Sequence, residues 1–533
     1  MSIELGNVAA TVLVAVAVAM LARRRGWGIA LPLIGVGALM SVLPVGPNAP
    51  DSPEVFQIIV LAPLVFGEAL GSSYIDIRKV RRPVMALAIG LVAATTLVVG
   101  GVMAVAAVAI PAAMCFALGA VVAPTDAVAV ATAARRANLP QRLVLILEGE
   151  SLVNDGTGLT ALRVAVTAAV AGSVTLAEAG VILAQSVLVG VGVGVVTGFV
   201  LVWVLRRSSD LVGSGGVLLV APFVIYVLAE ELGGSEILAI VVAGLMASHS
   251  THSDPSYRGR LQVAIVWKQI TFLLQAVAFL LLGLDLPVVL AALTESEQMS
   301  LLLVVPLVVV ALIATRLLFV TAMIATSKWG PGTQKSDWRH GTVMGWAGAR
   351  GPVSALAAFS IPFVDDVGNP LSGRNEIVAV ALCTIVITLL LAPTLGPLAR
   401  RLGVCDPGDP ATTDRVRIAM ARAALKALDE AETDAEEDGR PLPDSMVALL
   451  RAKEENRLAR TTSADAGPQV AGANRSVLVA IAMAQAEQSE VIRQRTEEGL
   501  PDSVVRPLLA ELDRRIALLR QSPAAANEPP NAS

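Results

Sequence analysis

The chain has 533 residues, of which 55% are hydrophobic and only 16% charged, and its mean hydropathy is +0.70. Soluble proteins run near a quarter charged, so a water-soluble globular fold is excluded for most of the length. A net charge of −4 leaves no basic footprint for nucleic acid, and the three cysteines Cys115, Cys383 and Cys405 have no spacing that suggests a disulfide framework or a zinc site.

Apolar runs of about 20 residues, each enough to cross roughly 30 Å of hydrocarbon as a helix, recur along the chain and predict an all-α membrane protein. They lie near 3–22, 28–45, 54–71, 84–109, 112–134, 143–170, 176–205, 215–232, 235–250, 264–287, 300–326, 341–363 and 376–399, which makes about 13 spans. The first run sits where a signal peptide would, but no basic residue precedes it and Arg23, Arg24 and Arg25 follow it. That order predicts a retained helix with its N-terminus outside.

The connections check this division. Arg78, Lys79, Arg81 and Arg82 follow the third run, and Arg135, Arg136 and Arg142 the fifth. Arg206 and Arg207, Arg258 and Arg260, Lys328, Lys335 and Arg339, and Arg400 and Arg401 follow the seventh, ninth, eleventh and thirteenth. The even-numbered connections are nearly free of Lys and Arg, with Arg374 the exception, and hold Asp51 and Glu54, Glu178, Glu295 and Glu297, and Asp365 and Asp366. The positive-inside rule then puts the tail in the cytoplasm.

The third run contains Glu68, in PLVFGEAL. The fifth carries Pro124, Thr125 and Asp126 in its middle, and the twelfth Gly348, Arg350, Gly351 and Pro352. Proline removes an internal hydrogen bond and clashes with the preceding turn. Two proline-interrupted spans of opposite direction predict inverted repeats whose two unwound helices cross at mid-membrane. In the seventh run Gly190, Gly194 and Gly198 form a small-residue stripe. No strand precedes it, so close helix packing is expected rather than a phosphate loop.

The sixth run contains ESLVNDGTG, Glu150 to Gly158. A carboxylate at the bilayer centre costs about 2.5–3.5 kcal/mol or more, so it needs a reason. Asp155 lies about 12 residues, roughly 18 Å, from one surface, and Asp126 about 14 residues, roughly 21 Å, from the other. Both therefore fall near the middle. Ser151 and Asp155 share one helix face, Glu150 and Asn154 the next. A hard cation without bulk water takes oxygen ligands, which Asp155, Ser151, Asp126 and Thr125 offer. Loss of water favours the protonated carboxylate, so such a group can trade a proton for a metal ion. The competing account is that these acids only pin helices together. For Glu150 the structural account is preferred: Arg350 is its expected partner, because a buried arginine without a carboxylate is very costly.

With PTDAVAV (Pro124–Val130), GESLVNDGTGL (Gly149–Leu159), WKQITFLLQAVAFLLLGLDL (Trp267–Leu286) and GWAGARGPVSALA (Gly345–Ala357), most of residues 1–400 resembles the monovalent cation:proton antiporters of the sodium/proton exchanger type. The resemblance implies a homodimer of thirteen-helix protomers, each with a dimerisation part and a mobile core. It implies exchange of Na⁺, with Li⁺ and K⁺ as alternatives, for H⁺ by alternating access. It implies Asp155 as carrier, with Asp126, Thr125, Ser151 and Asn154 around it, Glu150 and Arg350 as a structural ion pair, and no cofactor. Asn154 stands where electrogenic relatives have a second Asp, which suggests electroneutral exchange. Three departures stand out. Gly67 occupies the position of the family's Glu, with Glu68 one step on and turned by about 100°; Lys268 replaces a usual Glu, and Gln275 a usual Asn.

Arg163, eight residues past Asp155, either faces an outer mouth or pairs with an unassigned acid, the second being preferred. Arg316 resembles an arginine the family carries. His249 and His252 are read as an exposed helix end. Residues 1–401 form the transmembrane part. Residues 402–533 are read as a cytoplasmic tail with helices near 411–431, 443–461, 474–498 and 501–521 and a disordered end. The alternatives are a K⁺/H⁺ antiporter, a cation channel, and an intramembrane protease using Asp126 and Asp155. DGTG is unlike the Gly-x-Gly-Asp context of such proteases, and no HExxH is present.

Overall fold

The computed structural model describes residues 2–42, 57–107, 109–171, 175–207, 210–252, 257–326, 338–365 and 367–405, and scattered positions from 418 to 514. The described residues are helical apart from turns and one isolated bridge between Val364 and Pro370. The helices fall on the apolar runs: α1 Ser2–Arg24, α2 Ala30–Val42, α3 Ala62–Gly71, the short α4 Tyr74–Lys79, α5 Arg81–Ala106, α6 Ala112–Val122, α7 Ala127–Arg136 and α8 Gln141–Val170. Then come α9 Leu176–Arg207, α10 Leu211–Glu231, α11 Glu236–His252, α12 Tyr257–Ala291, α13 Glu295–Thr326, α14 Trp338–Trp346, α15 Pro352–Phe359 and α16 Arg374–Leu391. Among the described residues six segments, in α5, α9, α10, α12, α13 and from Arg374 to Leu402, are long and apolar enough to cross a membrane. Helix α8 is 30 residues long but carries Glu148, Glu150, Asp155 and Arg163. The protein is a multi-pass helical membrane protein.

Two apolar clusters organise the first compact unit, Met1–Gly408. The larger includes Leu118, Ile146, Val308, Ile377 and Leu382, the smaller Phe66, Leu218, Ile240 and Trp267. Helix α8 lies on the seam between them, giving Ile146 to the first and Leu152 to the second. On one side α6 packs against α5, α8 and α16, and α13 against α5 and α14. On the other α11 packs against α9, α3 and α10, while α12 packs against α2 through Leu280, Leu284, Leu33 and Ile34 of the larger cluster.

The glycine stripe serves close packing. A Cβ on Gly194 would come 2.6 Å from the Ala239 carbonyl oxygen, and one on Gly190 2.6 Å from that of Ser235. The α9 and α11 backbones touch there, as small-residue seams in membranes allow.

The second compact unit spans Asp409–Ser533. Its described positions between 418 and 455 are helical, and Arg451 pairs with Asp429 at 2.8 Å and Glu432 at 3.0 Å. The helices expected near 474–498 and 501–521 lie, except for Glu487 and Arg514, outside the described residues, as does the end of the tail.

Candidate ion-binding site

Both proline-interrupted spans are broken where expected. Residues 123–126 separate α6 from α7, and 347–351 separate α14 from α15. Proline cannot donate and crowds the turn before it, so the freed groups need partners from elsewhere. They find them in each other: the Asp126 amide donates to the Ala349 carbonyl at 2.9 Å. A Cβ on Gly351 would come 2.6 Å from Cβ of Asp126, so the two stretches cross at a contact that leaves no room for a side chain.

Helix α8 runs unbroken past this crossing. Ser151 Oγ donates to the Thr125 carbonyl. Asn154 Nδ2 donates to Thr125 Oγ1 at 2.9 Å, and that hydroxyl donates to Glu150 Oε1 at 3.3 Å. Thr125, Asp126, Glu150, Ser151, Asn154 and Asp155 are all buried. Asp155 Oδ1 and Asn154 Oδ1 are buried oxygens without a hydrogen-bond partner. Buried polar atoms are satisfied in the great majority of cases, so an orphaned carboxylate oxygen one helical turn from Ser151 offers the kind of oxygen ligand a hard cation takes.

Glu68 joins this group. Its carboxylate lies in electrostatic range of both Asp126 and Asp155. Phe66 and Ala69 pack on α11 at Gly244, and Gly67 faces Trp267 and Thr271 of α12. That leaves residue 68 on the side turned away from α11, so the 100° offset brings Glu68 toward the carboxylates. A π-helical turn, Gln57–Leu61, precedes α3. A reading based on 3.6 residues per turn does not detect such a turn.

The expected Glu150–Arg350 pair is corrected. Glu150 is held in a fork by Arg316, with Nη1 on Oε1 at 2.5 Å and Nη2 on Oε2 at 2.8 Å, both side chains nearly fully buried. Arg350 instead caps broken backbone. Its Nε donates to the Val122 carbonyl at 2.5 Å, the last of α6, and its Nη1 to Gly348 at 2.8 Å. One arginine serves the carboxylate and the other the unwound carbonyls. Arg163 pairs with Glu236 at 3.1 Å, the unassigned acid. His249 is exposed and meets the Tyr74 ring at a tilt of 58°, while the side chain of His252 lies outside the described residues.

A cavity of about 1380 Å³ reaches Asp126 and Gln275 from the end of the molecule that carries Arg23, Lys268 and Arg400. Asp155 does not line it.

Two discontinuous helices crossing beside an unbroken helix with buried acids define an ion transporter of the broken-helix class. The family profile described as sodium/hydrogen exchanger, transmembrane, matches residues 9–400, and the chain belongs to that family. A sodium, potassium, lithium and rubidium/H⁺ antiporter of Bacillus pumilus is 35% identical over 392 residues, covering 69% of this chain and 57% of the relative. A Bacillus subtilis protein of the same description is 31% identical over 420 residues, covering 75% and 62%. The alignments thus span less than two thirds of those two relatives. A Mycobacterium tuberculosis protein described as an uncharacterized Na⁺/H⁺ exchanger is 30% identical over 494 residues, 90% of each chain. The fold is shared with the sodium proton antiporter MjNhaP1 from Methanocaldococcus jannaschii, at a TM-score of 0.63 and 18% identity, over 75% of this chain and 99% of that one.

Proposed function

We propose that the protein is a secondary active transporter that exchanges Na⁺ for H⁺ across the membrane by alternating access, with Li⁺ and K⁺ as further substrates. The observation that carries this reading is the buried, unpartnered carboxylate oxygen of Asp155, one turn along α8 from Ser151, whose Oγ donates to the Thr125 carbonyl. Asp155 takes either a proton or an alkali cation. Asp126 and Glu68 supply further negative charge, and Asn154 fixes Thr125. The cation enters by the cavity that ends at Asp126. Because Asn154 precedes Asp155, one carboxylate titrates at that step and the exchange is electroneutral. Glu150, Arg316 and Arg350 hold the broken helices and take no part in the chemistry.

The alternation of Lys and Arg between connections supports an N-terminus outside and a cytoplasmic tail. The count of thirteen crossings, the inverted repeats and the homodimer rest on the pattern of runs and on the family. In this arrangement α5–α8 and α13–α16 move against the remaining helices. K⁺/H⁺ exchange is the second reading, favoured by the potassium named for the Bacillus relatives.

The test is proton release from sealed vesicles of reconstituted protein on adding Na⁺, Li⁺ or K⁺ with the membrane potential clamped. Coupled release in wild type and none in Asp155→Asn is the expected result. Release that vanishes under the clamp points to a channel, and exchange that persists in Asp155→Asn removes the mechanism.

A further inference from the structure

Helix α8 begins at the end of the molecule where the cavity opens. Gln141 follows Ala137, whose Cβ lies near Gly396, and Gly396 and Arg400 line that cavity. Arg163 lies two turns beyond Asp155 in the opposite direction, about 12 Å along the axis. On that side one stripe of α8, spaced i, i+4, i+7, meets the start of α11 in three layers. Nearest Asp155, Gly156 receives the Leu238 side chain so closely that a Cβ would come within 2.6 Å of it. Next, Thr160 Oγ1 donates to Ser235 Oγ at 3.0 Å. Last, Arg163 Nη1 donates to the Gly234 carbonyl and to Glu236 Oε1, both at 3.1 Å.

We propose that these contacts form a latch: Arg163–Glu236 and Thr160–Ser235 hold the face opposite the cavity closed over the Leu238–Gly156 plug, and must part before Asp155 is reached from that face. The inference rests on the alternating-access reading above. The two sides of the latch belong to different bodies. Helix α11 is fixed to α9 by the glycine stripe, while α8 is fixed to the crossing through Ser151 and Asn154. The contacts are also of the right strength. Arg163 is 41% exposed and Glu236 20%, and half-wet pairs of this kind contribute little each. A ladder of weak polar contacts over one apolar plug opens and recloses, where a dry interdigitated seam would not.

The experiment uses the full chain in lipid, with Cys115, Cys383 and Cys405 replaced and spin labels at the exposed positions Thr167 and Glu231. Wild type is expected to give one dominant distance, and Arg163→Gln or Glu236→Gln a second, longer population. The swap Arg163→Glu with Glu236→Arg is expected to restore the first. In sided transport, either single variant is expected to raise apparent cation affinity on the latch face by about two- to fivefold, the range a half-exposed pair can shift, and not on the cavity face. An unchanged distance distribution in both single variants, or a swap that fails to restore it, overturns the latch. Because the distance measurement needs no transport, it stands even if Asp155→Asn retains exchange, an outcome that would remove only the functional reading.

Discussion

The crossing of residues 123–126 with 347–351 and the seam between α9 and α11 both bring two backbones together in an apolar surrounding, and they do it in opposite ways. At the seam both helices stay intact, every internal hydrogen bond is kept, and glycine alone lets the chains approach. At the crossing both helices are opened, and their groups are satisfied by a bond between the strands, by Arg350, and by hydroxyls from α8 and α16. On α8, beside the crossing, Asp155 Oδ1 and Asn154 Oδ1 are left without a hydrogen-bond partner. Regular packing fixes a scaffold. Opened backbone has to be compensated from other helices.

The largest test of that contrast is Asp155→Asn. Removing the charge relieves an uncompensated buried group, so exchange falls to background while the melting temperature holds or rises. Loss of transport together with loss of folding would mean that Asp155 is structural, and the contrast would fail at its centre.

Next is the division of labour between the arginines. Arg316→Gln leaves Glu150 buried without its partner and should cost about 3–5 kcal/mol, seen as a sharp loss of yield and of thermal stability. Arg350→Gln leaves carbonyls unsatisfied and should cost less, about 1–3 kcal/mol. If Arg350→Gln proves the more damaging, the fork on Glu150 is misassigned and the expected Glu150–Arg350 pair returns.

Smaller again is Gly194→Val. It forces a side chain into the Ala239 backbone and should cost about 1–3 kcal/mol, with exchange per folded molecule unchanged. Normal stability with slowed exchange would show instead that the seam slides during transport.

Much of this was legible in the sequence because it depends on local chemistry. Hydrophobic length gave the runs, and Pro124 and Pro352 marked the breaks because a missing N–H is a property of one residue. The depth of Asp155 and Asp126 followed from a fixed rise per residue. Choice of partner was not legible. Arg316 and Arg350 both lie in apolar runs, and only the packing of α13 on α14, with Arg316 Nε on the Met344 carbonyl, decides which one reaches Glu150. Glu68 was visible as a possible site residue, but not its direction, for a related reason: that is set by Phe66 and Ala69 docking at Gly244, not by its place in a motif. The acid for Arg163 was also hidden, since Glu236 lies in another helix and only tertiary contact joins them.

The smallest expected effect concerns the cavity, where the contrast between compensated and uncompensated charge extends to the entry path. Arg23, Lys268 and Arg400 line it and Asp126 lies at its far end. Fixed positive charge along the approach lowers the local concentration of cations, so this path works against its own substrate. Lys268 is exposed on α12, outside the segments that cross. Lys268→Glu should raise apparent cation affinity about twofold at low ionic strength, since charges in water at this range interact weakly. The gain should disappear above about 0.15 M salt, where the Debye length falls to about 8 Å. An effect that survives high salt would mean that Lys268 touches the bound cation's surroundings directly, and the site would then extend beyond the crossing. An effect of opposite sign would mean that the cavity is not the way in, leaving the latch face as the entry and reversing the direction assigned to the whole cycle.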